Sequence, residues 1–239
     1  MLAVHVELDT NDGPIRGYLA LPQRATSGPG PWPAVVVVHE IFGVEDDIRQ
    51  IAERFATAGY VALVPDLYSR GGAVRCVKGV VRALRSGRGQ AVDDLTSARR
   101  WLAARGDTTG RVGIAGFCLG GGFALLMAPR GFDVAAPYYG VLPEDESAFD
   151  GSCPVVASFG GRDRALPGAA ARLEEELAAR HVPHDVKEYP EAGHSFANRS
   201  PVALPGPLKR VAGVGYHHAS AEDAWRRVFD FFAEHLRGR

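Results

Sequence analysis

The sequence predicts an α/β fold in which a mostly parallel, doubly wound sheet follows an N-terminal antiparallel hairpin. Two observations lead to this prediction. Short runs that are apolar on both faces recur along the chain, with helical patterns between them. The first segments differ, because they alternate apolar and polar residues around a turn. In a sheet built this way the ligand site lies beyond the carboxyl ends of the parallel strands.

The N-terminal hairpin is predicted from this alternation. Val4, Val6 and Leu8 are separated by polar residues. Asn11-Asp12-Gly13 then supplies turn chemistry before the segment 17–21. We therefore expect two antiparallel strands before the parallel sheet begins.

The remaining elements are predicted from their hydrophobic periodicity. Apolar runs typical of buried strands span residues 34–38, 60–64, 112–115 and 155–159, and a strand-like segment spans 185–189. Helical patterns span residues 46–58, 75–88, 91–104, 120–127, 169–180 and 220–236. Ser220 and Asp223 resemble a capping box, which predicts that the last helix starts there.

The composition is that of an ordinary globular protein. A chain of 239 residues can fold around one core, so we expect one α/β domain spanning residues 1–239. With 27 basic and 28 acidic side chains the chain has no field that would attract nucleic acid or an anionic membrane. A small-molecule partner is favoured, and we expect a monomer or a small homo-oligomer.

The N-terminus and the cysteines favour a cytoplasmic protein. No signal peptide is evident, and no apolar stretch approaches the ~18 residues of a membrane span. Cys76, Cys118 and Cys153 are too few for a disulfide framework, and none lies in a Cys-x-x-Cys pair. Free thiols fit a reducing compartment.

One cysteine lies at a predicted strand-turn-helix junction. Gly116-Phe117-Cys118-Leu119-Gly120 has the G-x-S-x-G pattern of the nucleophile in α/β-hydrolases, with cysteine in place of serine. A helix N-terminus favours the thiolate, which is the reactive form of cysteine. The alternative is that Cys118 is a small buried apolar side chain, and for Cys76 and Cys153 that alternative is favoured.

Chain order in α/β-hydrolases predicts an acid and then a histidine, each in a loop after a strand. Asp163 follows the predicted strand 155–159, and His194 follows the strand-like segment 185–189. The histidine would relay a proton and the carboxylate would fix its tautomer. Taken alone, each residue is weak evidence for a catalytic site, because an aspartate beside glycines usually forms a turn and a lone histidine usually has no catalytic role. The prediction depends on their combination with Cys118.

Several segments resemble the dienelactone hydrolase family, from about Pro33 to the C-terminus. These segments are His39-Glu40-Ile41-Phe42-Gly43, Pro65-Asp66-Leu67-Tyr68, Gly116-Phe117-Cys118-Leu119-Gly120-Gly121, Tyr138-Tyr139-Gly140, Gly161-Arg162-Asp163 and Ala192-Gly193-His194-Ser195-Phe196. A cysteine at this strand-turn-helix junction is a specific mark of the family, because most relatives with the fold use serine. The resemblance implies hydrolysis of a small ester or lactone, with Cys118, His194 and Asp163 as the catalytic triad.

The resemblance also implies roles that the spacing alone does not show. Glu40 would lie beside the thiol and control its protonation. The backbone N–H groups of Leu119 and Ile41 would form the oxyanion hole. Tyr139 and Phe42, which lie in two of the similar segments, would contact the substrate.

Arginines hold the substrate carboxylate in the family members that cleave dienelactone, one in the loop after the fourth strand and one just after the active histidine. This chain departs from that pattern, with Asn198 four residues after His194, Arg199 one place later, and a diverged loop over residues 69–89. Arg75 and Arg199 are the candidates for binding a substrate carboxylate. A solvated basic face on the helix 75–88 is the favoured alternative for the basic residues there, and the helix is also a candidate lid.

Metal and nucleotide motifs are incomplete in this chain. His39-Glu40 would need a histidine where Gly43 stands to form H-E-x-x-H, and the triple glycine at 120–122 lacks the G-x-G-x-x-G pattern. We therefore expect no metal and no cofactor. Two functions of other classes stay open: a thiol-based redox sensor using Cys118, and a non-catalytic small-molecule binder on the same fold.

Overall fold

The computed structural model describes residues 2–199 and 214–237. Its strands are β1 (Leu2–Leu8), β2 (Ile15–Leu21), β3 (Trp32–Val38), β4 (Val61–Pro65), β5 (Thr108–Phe117), β6 (Val134–Tyr138), β7 (Val155–Gly160) and β8 (His184–Tyr189). Its helices are α1 (Arg24–Ser27), α2 (Asp46–Thr57), α3 (Ala73–Ser86), α4 (Gln90–Ala103), α5 (Leu119–Met127), α6 (Ala169–Ala179) and α7 (His218–Arg237), with a 3₁₀ turn at Glu146–Phe149.

The eight strands form one mixed sheet in the order β1-β2-β4-β3-β5-β6-β7-β8. β1 pairs antiparallel with β2, and β2 pairs antiparallel with β4 through Gly17 and Pro65. From β4 to β8 all neighbours are parallel. The predicted architecture, a hairpin leading into a parallel sheet, is confirmed.

Helices cover both faces of this sheet, which explains why the central strands are apolar throughout. In β3, Val36 and Val38 point into one core, whereas Val35 and Val37 point into the other. All four valines are fully buried. The first core is closed by α3, α4, α5 and α6, and the second by α2 and α7. Alternate residues of a strand face opposite sides, so a strand covered on both faces loses its alternation.

The structure adds one strand that the sequence does not predict. β6 reads Val-Ala-Ala-Pro-Tyr, and all five residues are buried. Alanine and proline are poor strand formers, so the segment has a weak strand pattern although its neighbours β5 and β7 enclose it.

The predicted start of α7 at Ser220 is wrong. The helix begins at His218, and the Ser220 N–H donates to His217 Nδ1 at 3.4 Å.

The parallel strands determine where functional side chains meet. β3, β5, β6, β7 and β8 all end at the same edge of the sheet. The loops that follow them carry Glu40, Cys118, Tyr139, Asp163 and His194.

No helix among the described residues is both long and apolar enough to cross a bilayer.

Candidate active site

Cys118 connects β5 to α5 in a backbone conformation that side chains rarely adopt. Its φ is 54° and its ψ is −113°. The Cys118 N–H donates to the Tyr138 carbonyl at 3.1 Å, and the Cys118 carbonyl accepts from the Gly122 N–H at 3.2 Å. The two bonds hold the residue between a strand end and the first turn of a helix. Strain of this kind persists only where the surroundings enforce it, and it is typical of a nucleophile elbow.

Two glycines make this turn possible because backbone passes directly over them. A Cβ atom at Gly116 would lie 1.9 Å from the Gly120 carbonyl oxygen. A Cβ atom at Gly120 would lie 2.2 Å from the Val38 carbonyl oxygen. Both distances are far inside van der Waals contact, so α5 can lie this close to β3 and β5 only where no side chain is present.

His194 is held between Asp163 and Cys118. Its Nδ1–H donates to Asp163 Oδ2 at 2.6 Å, and its side chain is 19% exposed whereas that of Asp163 is 2% exposed. The other carboxylate oxygen of Asp163 accepts from the Ala165 N–H at 2.9 Å. The Cys118 side chain lies close enough to His194 to raise the pKa of the imidazole. Because Asp163 occupies Nδ1, the nitrogen left for the sulfur is Nε2.

The partners of His194 change its acidity. Burial opposes the charged imidazolium, but hydrogen bonds to Asp163 and Cys118, together with their negative charges, outweigh burial and raise the pKa of His194 to about 10. The same neighbours fix the ring orientation and its protonation. The imidazole of His194 is therefore a cation at neutral pH.

Glu40 lies in the loop after β3, close to the same histidine. Burial raises the pKa of Glu40 to about 7, and the nearby charge of Asp47 adds to this increase while His194 opposes it. The Ser195 hydroxyl is 3.5 Å from Glu40 Oε1. A carboxyl group with this pKa changes its charge near neutral pH, beside the candidate catalytic histidine.

His39 and Tyr68 support the Glu40 loop, and the sequence alone predicts no role for either residue. The Leu67 N–H donates to His39 Nε2 at 3.2 Å, so the His39 Nδ1–H donates to the Glu40 carbonyl at 2.7 Å. The Tyr68 hydroxyl donates to the Ile41 carbonyl at 3.0 Å. Both residues lie in segments that carry the family resemblance, but their roles depend on the folded loop.

The residues predicted for the oxyanion hole and the substrate differ in exposure. Leu119 is the first residue of α5, where helix geometry leaves the amide without a partner inside the helix. Ile41 is 40% exposed and Phe42 50% exposed, at the open side of the Glu40 loop. Tyr139 is fully buried. Its ring lies 5.1 Å from the His194 ring, so in this conformation it contacts the histidine and has no surface left for a substrate.

The two arginines predicted to bind a substrate carboxylate, Arg199 and Arg75, differ in their contacts. Arg199 has a side-chain nitrogen 3.5 Å from Glu222 and its guanidinium 5.4 Å from the Tyr216 ring centre, so the ion pair and the ring orient it. Arg75 is exposed on α3. Arg70, in the loop after β4, forms an ion pair with Asp94 at 2.8 Å.

The other two cysteines have distinct surroundings. Burial raises the pKa of Cys153 to about 12, so this thiol stays protonated. Cys76 is partly exposed, and its sulfur lies 3.8 Å from the Tyr68 carbonyl oxygen. In residues 2–199 and 214–237, no group of three or more His, Cys, Asp or Glu side chains is arranged to hold a metal ion.

Comparisons with known proteins show which proteins this chain is similar to. A model of the dienelactone hydrolase family matches residues 15–236. The carboxymethylenebutenolidase of Pseudomonas putida is 31% identical over 245 aligned positions, which cover 98% of this chain and 97% of the relative. A Yersinia pestis protein provisionally given the same name is 32% identical and covers 91% of this chain and 83% of the relative.

A solved structure is similar over the whole chain. The Klebsiella pneumoniae protein, provisionally described as a dienelactone hydrolase, has a TM-score of 0.76 and 28% sequence identity to this chain. The match covers 98% of this chain and all of the other.

We expect the titration of His194 to depend on Asp163. The folded-state pKa of about 10 lies above the ordinary 6.5, so the stability this histidine contributes is fully present below pH about 6.5 and is lost as the pH rises through about 10. Asp163→Asn removes the negative partner and should lower the midpoint. NMR titration of the His194 ring protons measures it. Asp150→Asn, which removes an exposed partner of Arg180, is the control, and equal midpoints in wild type and Asp163→Asn would contradict the expected coupling.

Proposed function

The chain belongs to the dienelactone hydrolase family, and we propose that it hydrolyses a small ester or lactone through a thioester formed on Cys118. The observation that supports this proposal best is the hydrogen bond between Asp163 and His194, with the Cys118 side chain at the strained turn near enough to influence that histidine. A nucleophile, a base and a residue that orients the base are the three parts that covalent acyl transfer requires.

In the first half of the proposed reaction, the Cys118 thiolate attacks the ester carbonyl. The carbonyl oxygen becomes an oxyanion, which the backbone N–H groups of Leu119 and Ile41 stabilise. When this intermediate collapses, the carbon–oxygen bond to the alcohol breaks, and the imidazolium of His194 donates its proton to the departing oxygen. An acyl thioester on Cys118 and a free alcohol result; from a lactone, the alcohol stays part of the same molecule.

The second half needs His194 as a base, and acylation itself supplies that change. The negative charge of Cys118 is one of the causes that raise the pKa of His194. Once the sulfur carries an acyl group, that charge is gone and the pKa falls. Neutral His194 then takes a proton from water, the oxygen attacks the thioester, and the thiolate leaves with release of the acid.

We further propose that Glu40 controls the protonation of the resting site. Ionised Glu40 adds negative charge near the sulfur and so disfavours a second negative charge there. It also attracts the positive charge of His194, as the lowering influence of His194 on the Glu40 pKa indicates. Displacement of Glu40 by an incoming substrate would remove this repulsion and give the carboxylate access to the thiol proton.

A redox-sensing thiol is the alternative that one observation favours. Burial raises the pKa of Tyr68 to about 12, and the charges of Cys76 and Cys118 add to the increase, so both cysteines lie near the same phenol. The bond between His194 and Asp163 has no function in a sensor, whereas hydrolysis requires it. Turnover of an ester by the reduced protein separates the two functions.

We expect Cys118→Ala to abolish ester hydrolysis and leave thermal stability nearly unchanged, because the turn depends on the glycines rather than on the sulfur. Cys118→Ser should retain only weak activity, since a hydroxyl is much harder to ionise than a thiol. Steady-state rates on small aryl esters and lactones, each with and without a carboxylate, measure both. Cys76→Ala is the matched control and should keep wild-type rates; hydrolysis by Cys118→Ala at the wild-type rate would exclude the proposed nucleophile.

The Glu40→Gln variant should alkylate faster at Cys118 than wild type near neutral pH, yet turn over its best substrate more slowly. The substitution removes the charge that develops as the pH passes about 7, so an inflection of the wild-type alkylation profile near that pH should disappear. Iodoacetamide reaction rates across pH measure this effect. Asp46→Asn is the control, because Asp46 is an exposed acidic residue that is not among the groups acting on the Glu40 pKa. Unchanged alkylation in Glu40→Gln would show that Glu40 does not guard the thiol.

A further inference from the structure

Three buried polar side chains lie next to the catalytic histidine. The Tyr139 hydroxyl donates to Asn198 Oδ1, and Asn198 Nδ2 donates to Asp47 Oδ2 at 2.6 Å. The second carboxylate oxygen of Asp47 accepts from the Arg199 N–H at 3.0 Å. Tyr139, Asn198 and Asp47 thus form one continuous hydrogen-bonded network that ends in a carboxylate.

The network is almost completely buried. Tyr139 is fully buried, and only 4% of Asn198 and 6% of Asp47 are exposed. A buried polar group that loses its partner retains the full cost of desolvation, so each bond in the chain depends on its neighbours. Asp47 is the second residue of α2, where the unpaired amides of a helix N-terminus favour a negative charge.

The three residues come from three different parts of the fold. Asp47 lies on α2, Tyr139 follows β6, and Asn198 lies in the loop after β8, four residues beyond His194. The Asn198 N–H also donates to the Ser195 carbonyl at 3.1 Å, which closes a turn immediately after His194. At the other end of the network, the Tyr139 ring packs 5.1 Å from the His194 ring. The network thus supports the histidine in two places: Asn198 closes the turn in its loop, and Tyr139 packs against its ring.

We propose that Tyr139, Asn198 and Asp47 are positioning residues that hold the His194 loop so that the imidazole faces Cys118. This inference rests on the proposed hydrolase function of the same site. None of the three needs to touch the substrate, because they act through the backbone of the His194 loop and the face of its ring. The conformation of Tyr139 agrees with this role: its φ of 36° is rare for a residue with a side chain, and such strain persists where neighbours enforce it.

Asp47 also influences the charge of the site. Its carboxylate raises the pKa of Glu40, as does the more exposed Glu45, whereas His194 lowers it. Loss of the network would therefore change the orientation of His194 and the charge around it together. A residue with a purely structural role would change the stability of the protein without changing these properties.

The Tyr139→Phe variant tests the network with little change in packing, because it keeps the ring and removes only the hydroxyl. We expect kcat on a small ester to fall about tenfold or more, with KM changed less than about twofold, since small displacements of a catalytic group cost rate rather than binding. Asn198→Ala, as a second variant, should give a similar loss, and the double variant should lose less than the product of the two.

Tyr189→Phe is the matched control. Tyr189 is also a buried tyrosine that packs on Phe196, and its hydroxyl donates to a carboxylate, Asp223, at 2.9 Å on α7. This variant should lower the thermal midpoint and leave kcat unchanged. Equal losses of stability in Tyr139→Phe and Tyr189→Phe, with wild-type kcat in both, would overturn the proposed positioning role.

A readout that does not depend on turnover separates this inference from the proposed function. The far-downfield proton resonance of the His194 bond to Asp163 should broaden or shift in Tyr139→Phe and Asn198→Ala, and stay unchanged in Tyr189→Phe. If wild type hydrolyses no ester but the resonance responds in this way, the hydrolase proposal fails and the network is supported. If the resonance and the pH profile of kcat are unchanged in both network variants, the network is only structural.

Discussion

The position of one sulfur atom depends on how closely a helix can approach a sheet. α5 begins immediately after β5, and its first turn lies so close to β3 and β5 that any side chain at Gly116 or Gly120 would overlap backbone atoms. The chain between these glycines has room for a single sharp turn, and Cys118 stands at its tip with a positive φ. Every other part of the proposed mechanism is arranged around that point.

Buried charges account for the rest of the site. Desolvation alone would favour neutral His194 and neutral Glu40, because removing a charge from water is costly. Specific partners decide the outcome differently for the two groups. Asp163 and Cys118 keep His194 positive, whereas Glu40 lies beside Asp47 as well as His194 and stays close to half-ionised near neutral pH. The site therefore holds several ionisable groups whose charges depend on one another, so a change at the sulfur propagates to the histidine.

The sequence predicts the parts of this site that follow from chain order and glycine placement. Cys118, Asp163 and His194 each follow a strand, and parallel strands bring their carboxyl ends to one edge, so the pattern alone places the three near each other. The hairpin and the buried strands follow from periodicity in the same way.

Other parts depend on contacts between distant residues and could not be predicted. β6 lacks a strand pattern because burial between two neighbours, rather than propensity, makes it a strand. Asp47 and Asn198 are 151 residues apart and meet only in the folded protein. The resemblance implies that Tyr139 contacts the substrate, yet its hydroxyl is directed at Asn198.

Rapid quenching of the enzyme with a slowly hydrolysed aryl ester, followed by mass spectrometry of the digested protein, tests whether Cys118 is acylated. We expect an acyl adduct on the peptide that contains Cys118, formed within the first turnover and lost as the acid is released. Hydrolysis with an adduct on another side chain, or with none, would contradict the proposed mechanism.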